Sequence, residues 1–182
     1  MKILLQLLFL IGALAANAQP ARIIFIRHAE KPADQQNPHL SAPGRDRAER
    51  VIKWLSEGKI LGTNGAPVAL YAAAPTAAGR NLRCVETLEP TARHLGLTVQ
   101  TPRGRGDFAG LARDLLCDTS LRGKNVVVCW VHEHLPAFAA AVGVNPPPPK
   151  WKDGDYDSAY VVTFTAGKAT LDRKNEKLKS LK

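Results

Sequence analysis

Along this chain, short unbroken apolar runs alternate with longer stretches in which apolar residues recur every three or four positions. Arg22-Ile23-Ile24-Phe25-Ile26 is the first run, and Asn125 to Val131 is the strongest. Runs of this length, rich in branched residues and bounded by polar or breaking residues, predict buried strands. Pro67 to Ala73 and Leu97 to Gln100 predict two more. Ala159 to Thr165 and Lys168 to Leu171 flank Ala166-Gly167, a hairpin turn. Helical spacing falls between the strands. Ser41 reads as the cap of a helix over Arg45 to Glu57, with Ala48, Val51, Ile52 and Leu55 on one face. Leu82 to Leu95 is a second helix, stopped by Gly96. Asp107 caps a third that runs to about Leu121, and Pro136 opens a fourth that ends near Gly143. Pro146 to Pro149 must be extended, either as a loop closing over a site or as a rigid corner.

Strands separated by helices predict an α/β fold, a three-layer α/β/α sandwich around a mostly parallel sheet. No internal repeat interrupts it. Two of the strands end in chemistry. The first opens into Arg27-His28-Ala29-Glu30, and the strongest into His132-Glu133-His134. Strand ends that open into charged tips are where an open α/β sheet presents its ligand crevice. Arg80 and Arg83 follow the Pro67 strand, and either could turn toward the first tip. Arg83 has Thr87 one helical turn below it. Imidazole is a nucleophile at neutral pH. A guanidinium matches the oxygens of a phosphoryl group with fixed donors. Two histidines among arginines therefore predict an anion cradle.

Charge agrees with an anionic ligand. The 182 residues carry a formal net charge of +9. The basic excess is scattered and aromatic residues make up only 6%, which argues against a nucleic-acid interface. The stretch from Arg173 to Lys182 is basic and reads as a solvated terminus. At the other end, Lys2, the apolar stretch Ile3 to Leu14 and Ala16-Asn17-Ala18 form the pattern of a cleavable leader. The apolar stretch is shorter than the ~20 residues of a spanning helix. Residues 1–18 are therefore expected to be a signal peptide, with 19–182 as one domain in the periplasm or outside the cell. An oxidising compartment would permit a bridge between Cys84 and Cys117, whereas Cys129 reads as a small core residue. His132 and His134 lack a third ligand at a sensible spacing for zinc.

The motifs together resemble those of the histidine phosphatase superfamily, in its phosphoglycerate mutase-like branch. Arg27-His28-Ala29-Glu30 is similar to the family's Arg-His-Gly-Glu signature, with Ala29 in place of glycine. Leu40-Ser41-Ala42-Pro43-Gly44-Arg45-Asp46-Arg47-Ala48 resembles its Leu-Thr/Ser-x-x-Gly-x-x-x-Ala segment. Tyr71-Ala72-Ala73-Ala74-Pro75 is similar to its Tyr-Ser-Ser-Pro strand end, and Arg83 to Thr87 to its Arg-x-x-x-Thr helix start. His132 stands as its second histidine.

The resemblance implies a phosphoglycerate mutase-like fold and a metal-independent phosphatase of small phosphate monoesters. His28 would become phosphohistidine, while Arg27, Arg83 and His132, or Arg80 in place of Arg83, bind the phosphoryl group. No metal or organic cofactor is implied. Glu30 would make a structural hydrogen bond at the strand tip. Glu133 follows the second histidine, and is the expected general acid. Asp107 is its rival, although a helix cap is the plainer reading. A non-catalytic phospho-ligand-binding protein of the same fold and a phosphomutase are the alternatives. His134 is a rim residue at most, and His39 and His94 read as surface residues. Substrate choice would lie in the loops Lys31 to Leu40, Arg103 to Gly106 and Asn145 to Asp155, where Arg103 and Arg105 could meet a second anionic group.

Overall fold

The computed structural model describes residues 19–34, 36–57 and 60–176. The leader assigned to residues 1–18 lies outside the described residues. The apolar runs are strands: β1 (Arg22–Arg27), β2 (Pro67–Ala72), β3 (Val99–Gln100), β4 (Asn125–Trp130), β5 (Ser158–Thr165) and β6 (Lys168–Asn175). They form one six-stranded sheet in the order β3-β2-β4-β1-β5-β6. The first four positions are parallel, and β5 and β6 add an antiparallel hairpin at one edge. The hairpin turns at Ala166 and Gly167, with φ of 49° and 80°, the left-handed pair a two-residue turn of this hand requires.

The helices are α1 (Ala42–Glu57), α2 (Leu82–Leu95), α3 (Phe108–Cys117) and α4 (Leu135–Ala141). From β1 the chain steps one way across the sheet to β2 and β3, then back the other way to β4 and β5. Right-handed crossovers therefore place α1 and α2 on one face and α3 on the other, where α4 packs against it. Within each pair the helices pack against each other. β1 and β4 are central and buried almost throughout, so their residues read as continuous apolar runs instead of alternating ones. Among the described residues, no helix is long and apolar enough to cross a membrane.

Three expectations change. The helix capped by Asp107 stops at Cys117 instead of about Leu121. The Asp118 side chain accepts from Ser120 N and starts a separate 3-10 turn, Thr119–Leu121, a local bond that competes with helix propagation. The basic stretch from Arg173 is solvent-exposed, as expected, but is not a frayed terminus at its start. Arg173 to Asn175 belong to β6, and Glu176 beyond them is buried. The bridge between Cys84 and Cys117 is not formed. All three cysteines are free, with Cys117 exposed and Cys84 buried. Cys84 instead lies against Cys129 in the core.

Candidate active site

β1 and β4 are parallel neighbours with Arg27 opposite Trp130. Both strands therefore release the chain at the same edge, and His28 N donates across to Trp130 O at 3.4 Å. His28 and His132 arrive side by side for that reason. The His28 Nδ1 is 2.7 Å from the carbonyl of Ala29. A carbonyl only accepts, so Nδ1 carries the hydrogen and Nε2 keeps a free lone pair. Burial, above all, pushes the His28 ring down to about 4. The charges of Arg27, Arg83 and His132 add to it, against the opposing pull of the Ala29 carbonyl. The ring is therefore neutral and nucleophilic at neutral pH. Four residues singled out from the sequence thus stand around one another: Arg27, His28, Arg83 and His132.

Each cation is aimed by backbone oxygens. Arg27 is 5% exposed. Its Nη1 donates to the carbonyls of Asp153 and Asp155, and its guanidinium lies 3.9 Å over the Tyr156 ring. Its Nε is buried without a partner, and burial pulls its pKa below the ordinary value. Both facts mark a desolvated charge that an oxyanion would compensate. Arg83 donates from Nε to the carbonyl of His39 at 2.9 Å and from Nη2 to that of Asn37. That loop is itself held by Glu86, which takes His39 Nδ1 and the Leu40 N–H. His39 is exposed, as expected, yet its carbonyl directs Arg83. Arg80 is exposed, in a turn closed by Thr76.

The helix after β2 supplies one more tie. Thr87 Oγ1 accepts from Ala29 N at 2.9 Å and donates to the Arg83 carbonyl at 2.6 Å. One hydroxyl thereby joins the His28 strand tip to the Arg83 turn. Glu30 has a structural partner, as its plainer reading holds. Its carboxylate pairs with both sides of the Arg47 fork at 2.9–3.0 Å. Arg47 also reaches Asp157 at 2.9 Å and Glu176 at 3.4 Å.

The second histidine faces a residue that sequence reasoning missed. His132 Nε2 is 3.1 Å from Asp153 Oδ1. Tyr156 is a second omission; its ring meets that of His28 edge-on at 6.2 Å. Both lie just past the proline run, in the segment that leads into β5. The Asp153-Gly154-Asp155 turn signal marked a loop, but nothing in it said which way the loop folds. Glu133 is about half exposed and pairs with Arg105 at 3.4 Å. Asp107 caps α3 by accepting from Gly110 N at 3.1 Å, and its other oxygen takes Arg103. Arg103 also forks onto Asp114, so its guanidinium is engaged within the fold instead of standing free for a second anion. His134 stacks on Phe108 with centroids 5.3 Å apart. His94 is exposed in the last turn of α2.

No protein-family model and no curated protein sequence matches this chain. Solved structures do. The protein histidine phosphatase SixA complexed with tungstate superposes with a TM-score of 0.54 at 17% identity, over 85% of this chain and 97% of that one. A structure from Escherichia coli K-12 assigned as an alpha-ribazole-5'-P phosphatase gives 0.55 at 17% identity, over 86% and 97%. A phosphoglycerate mutase from Bacillus anthracis gives 0.56 at 12%, over 90% and 96%. At these identities the likeness is one of architecture, and in architecture this chain is built as the histidine phosphatases and phosphoglycerate mutases are.

Proposed function

We propose that this protein hydrolyses phosphate monoesters of small molecules through a phosphohistidine on His28. The observation that carries the reading is the pairing of a neutral imidazole with cations. His28 is held down to about 4 by burial, Arg27, Arg83 and His132, so the surroundings that keep it unprotonated would also receive a phosphoryl dianion. Nε2 attacks phosphorus and the bond to the leaving oxygen breaks. Arg27, Arg83 and His132 offset charge on the three equatorial oxygens. Water then attacks the phosphohistidine, the phosphorus–nitrogen bond breaks, and phosphate leaves.

Glu133 is the group we assign to protonate the leaving oxygen. It follows His132 directly and meets Arg105 through Oε1, whereas both oxygens of Asp107 are occupied in capping α3 and holding Arg103. The leader assigned to residues 1–18 makes export to the periplasm or beyond part of the same proposal. Incubation with para-nitrophenyl phosphate should release phosphate, and His28→Ala should abolish the release. A wild-type protein inert across pH and across varied phosphoesters would overturn the reading. Labelled phosphate trapped on His28 would exclude a protein that only binds its ligand.

A further inference from the structure

The Lys152–Tyr156 turn touches three of the four gathered residues. The Asp153 carbonyl takes Arg27 Nη1, the Asp153 carboxylate takes His132 Nε2, and Tyr156 lies under Arg27 and beside His28. The Asp153 side chain is 80% exposed whereas that of His132 is 16% exposed. Its bond to the imidazole is therefore not forced by packing around it. We propose that Asp153 is a positioning residue for the phosphoryl transfer, whose carboxylate accepts the hydrogen on His132 Nε2, fixes the rotation of that ring and reserves Nδ1 for a phosphoryl oxygen. This rests on the phosphatase reading of the site.

The chemistry follows from what an imidazole can offer. A neutral ring has one N–H, and a ring that gives Nε2–H to Asp153 can donate from Nδ1 only as the imidazolium. A carboxylate on Nε2 compensates that charge, in the way an aspartate behind a catalytic histidine fixes its tautomer and supports its charged form. The two histidines of the site then have opposite tasks. His28 attacks through a free lone pair, and His132 holds through its N–H groups. The groups that face Asp153 are His132, Lys150 and Arg27. Hydrogen bonding to His132, first, and then the charges of Lys150, His132 and Arg27 hold its carboxyl below the usual range, so the carboxylate is present at every pH where the enzyme would work.

The test uses Asp153→Asn, which keeps an acceptor oxygen without the charge, with Asp153→Ala and Asp153→Glu. With para-nitrophenyl phosphate, kcat in Asp153→Ala should fall on the order of ten- to a hundredfold, the range for removing a carboxylate behind a functional histidine. Asp153→Asn should narrow the pH profile of kcat/KM from its basic side, because the charged ring loses its counter-charge. Asp153→Glu should restore much of the rate. Nitrogen NMR of the ligand-free wild type should show the His132 hydrogen on Nε2, and Asp153→Ala should lose that signal to fast exchange. A hydrogen found only on Nδ1, or variants with unchanged turnover and an unchanged pH profile, would overturn the proposal. So would faster turnover in Asp153→Ala with tighter binding of inorganic phosphate, which would make Asp153 an internal competitor. A wild type without turnover would remove the phosphatase reading, and the NMR result would still decide whether Asp153 holds His132.

Discussion

At the scale of the residue, the site is organised by where single hydrogens sit. The Ala29 carbonyl fixes the His28 hydrogen on Nδ1 at 2.7 Å, and so decides which nitrogen is free. The same ring is buried beside three cations, which pushes it down to about 4. In a titration of the ligand-free protein followed by NMR, the His28 ring protons should stay at their neutral position from pH 8 to about 5 and move only near 4. Movement near the ordinary value of 6.5 would show that the ring is not buried beside Arg27, Arg83 and His132 as the fold has it. The direction for stability follows. His28 has a folded value below its unfolded one, so the unfolded chain binds the extra proton. The share of stability linked to this group is intact above about 6.5 and is lost as pH falls toward 4.

At the scale of the element, the Leu40–Ala48 segment shows how much of the site was legible in the sequence. Leu40 and Ala48 bury themselves with Ala29 in a small cluster of their own. Ser41 Oγ accepts from Gly44 N and donates to the Glu30 carbonyl, so one hydroxyl both caps α1 and ties it to the strand tip. Gly44 allows the approach, since a Cβ there would lie 2.3 Å from the Glu30 oxygen. Gly44→Ala should therefore cost about 1–3 kcal/mol, the usual range for overpacking, measured by urea unfolding, and should lower kcat by shifting the strand tip. These contacts are short-range consequences of a cap, a small residue and an apolar pair, and the pattern of the segment announces them. The ends of α2 and β4 were legible for the same reason: Gly96 at φ 66° stops the one, and the buried run of branched residues marks the other. Asp153, Tyr156 and two of the partners of Arg47, Asp157 and Glu176, were not legible. They meet Arg27, His28 or Arg47 across more than a hundred residues of chain, along a path set by β5 pairing with β1 and β6 with β5. No local spacing encodes that path, and a solitary Asp or Tyr in a polar loop gives no periodic signal.

At the scale of the whole molecule, one buried guanidinium ties the two ends of the fold together. Arg47 on α1 takes Glu30 from the tip of β1, Asp157 from just before β5 and Glu176 from just past β6. Three carboxylates around one cation are too many to ionise without cost. Burial, first, together with the charges of Asp157 and Glu30 pushes Glu176 up to about 8, although Arg47 opposes the shift. Here the folded value lies above the unfolded one, so the native state binds the extra proton between about 4.5 and 8. Stability linked to Glu176 is therefore present in acid and is lost as pH rises through 8. Glu176→Gln keeps a neutral hydrogen-bonding group there. Its melting temperature relative to wild type should rise steadily from about pH 5 to pH 8 and then level off. A difference that stays flat with pH would show that Glu176 is ionised in the native state throughout.

The direction of the strands has a practical consequence for handling the protein. β1 starts beside Lys124 at one end of the sheet, where Gln19 accepts from Gly123 N, and it finishes at His28. β6 runs so that Asn175 lies level with Ser158, next to the register of Ile26 with Ala159. The first described residue and the last thus exit at opposite poles. An affinity tag or a surface attachment fused ahead of Gln19 leaves the mouth of the crevice open to substrate. The same fusion placed after Glu176 grows from the end where His28 stands, and would compete for space with whatever ligand enters there.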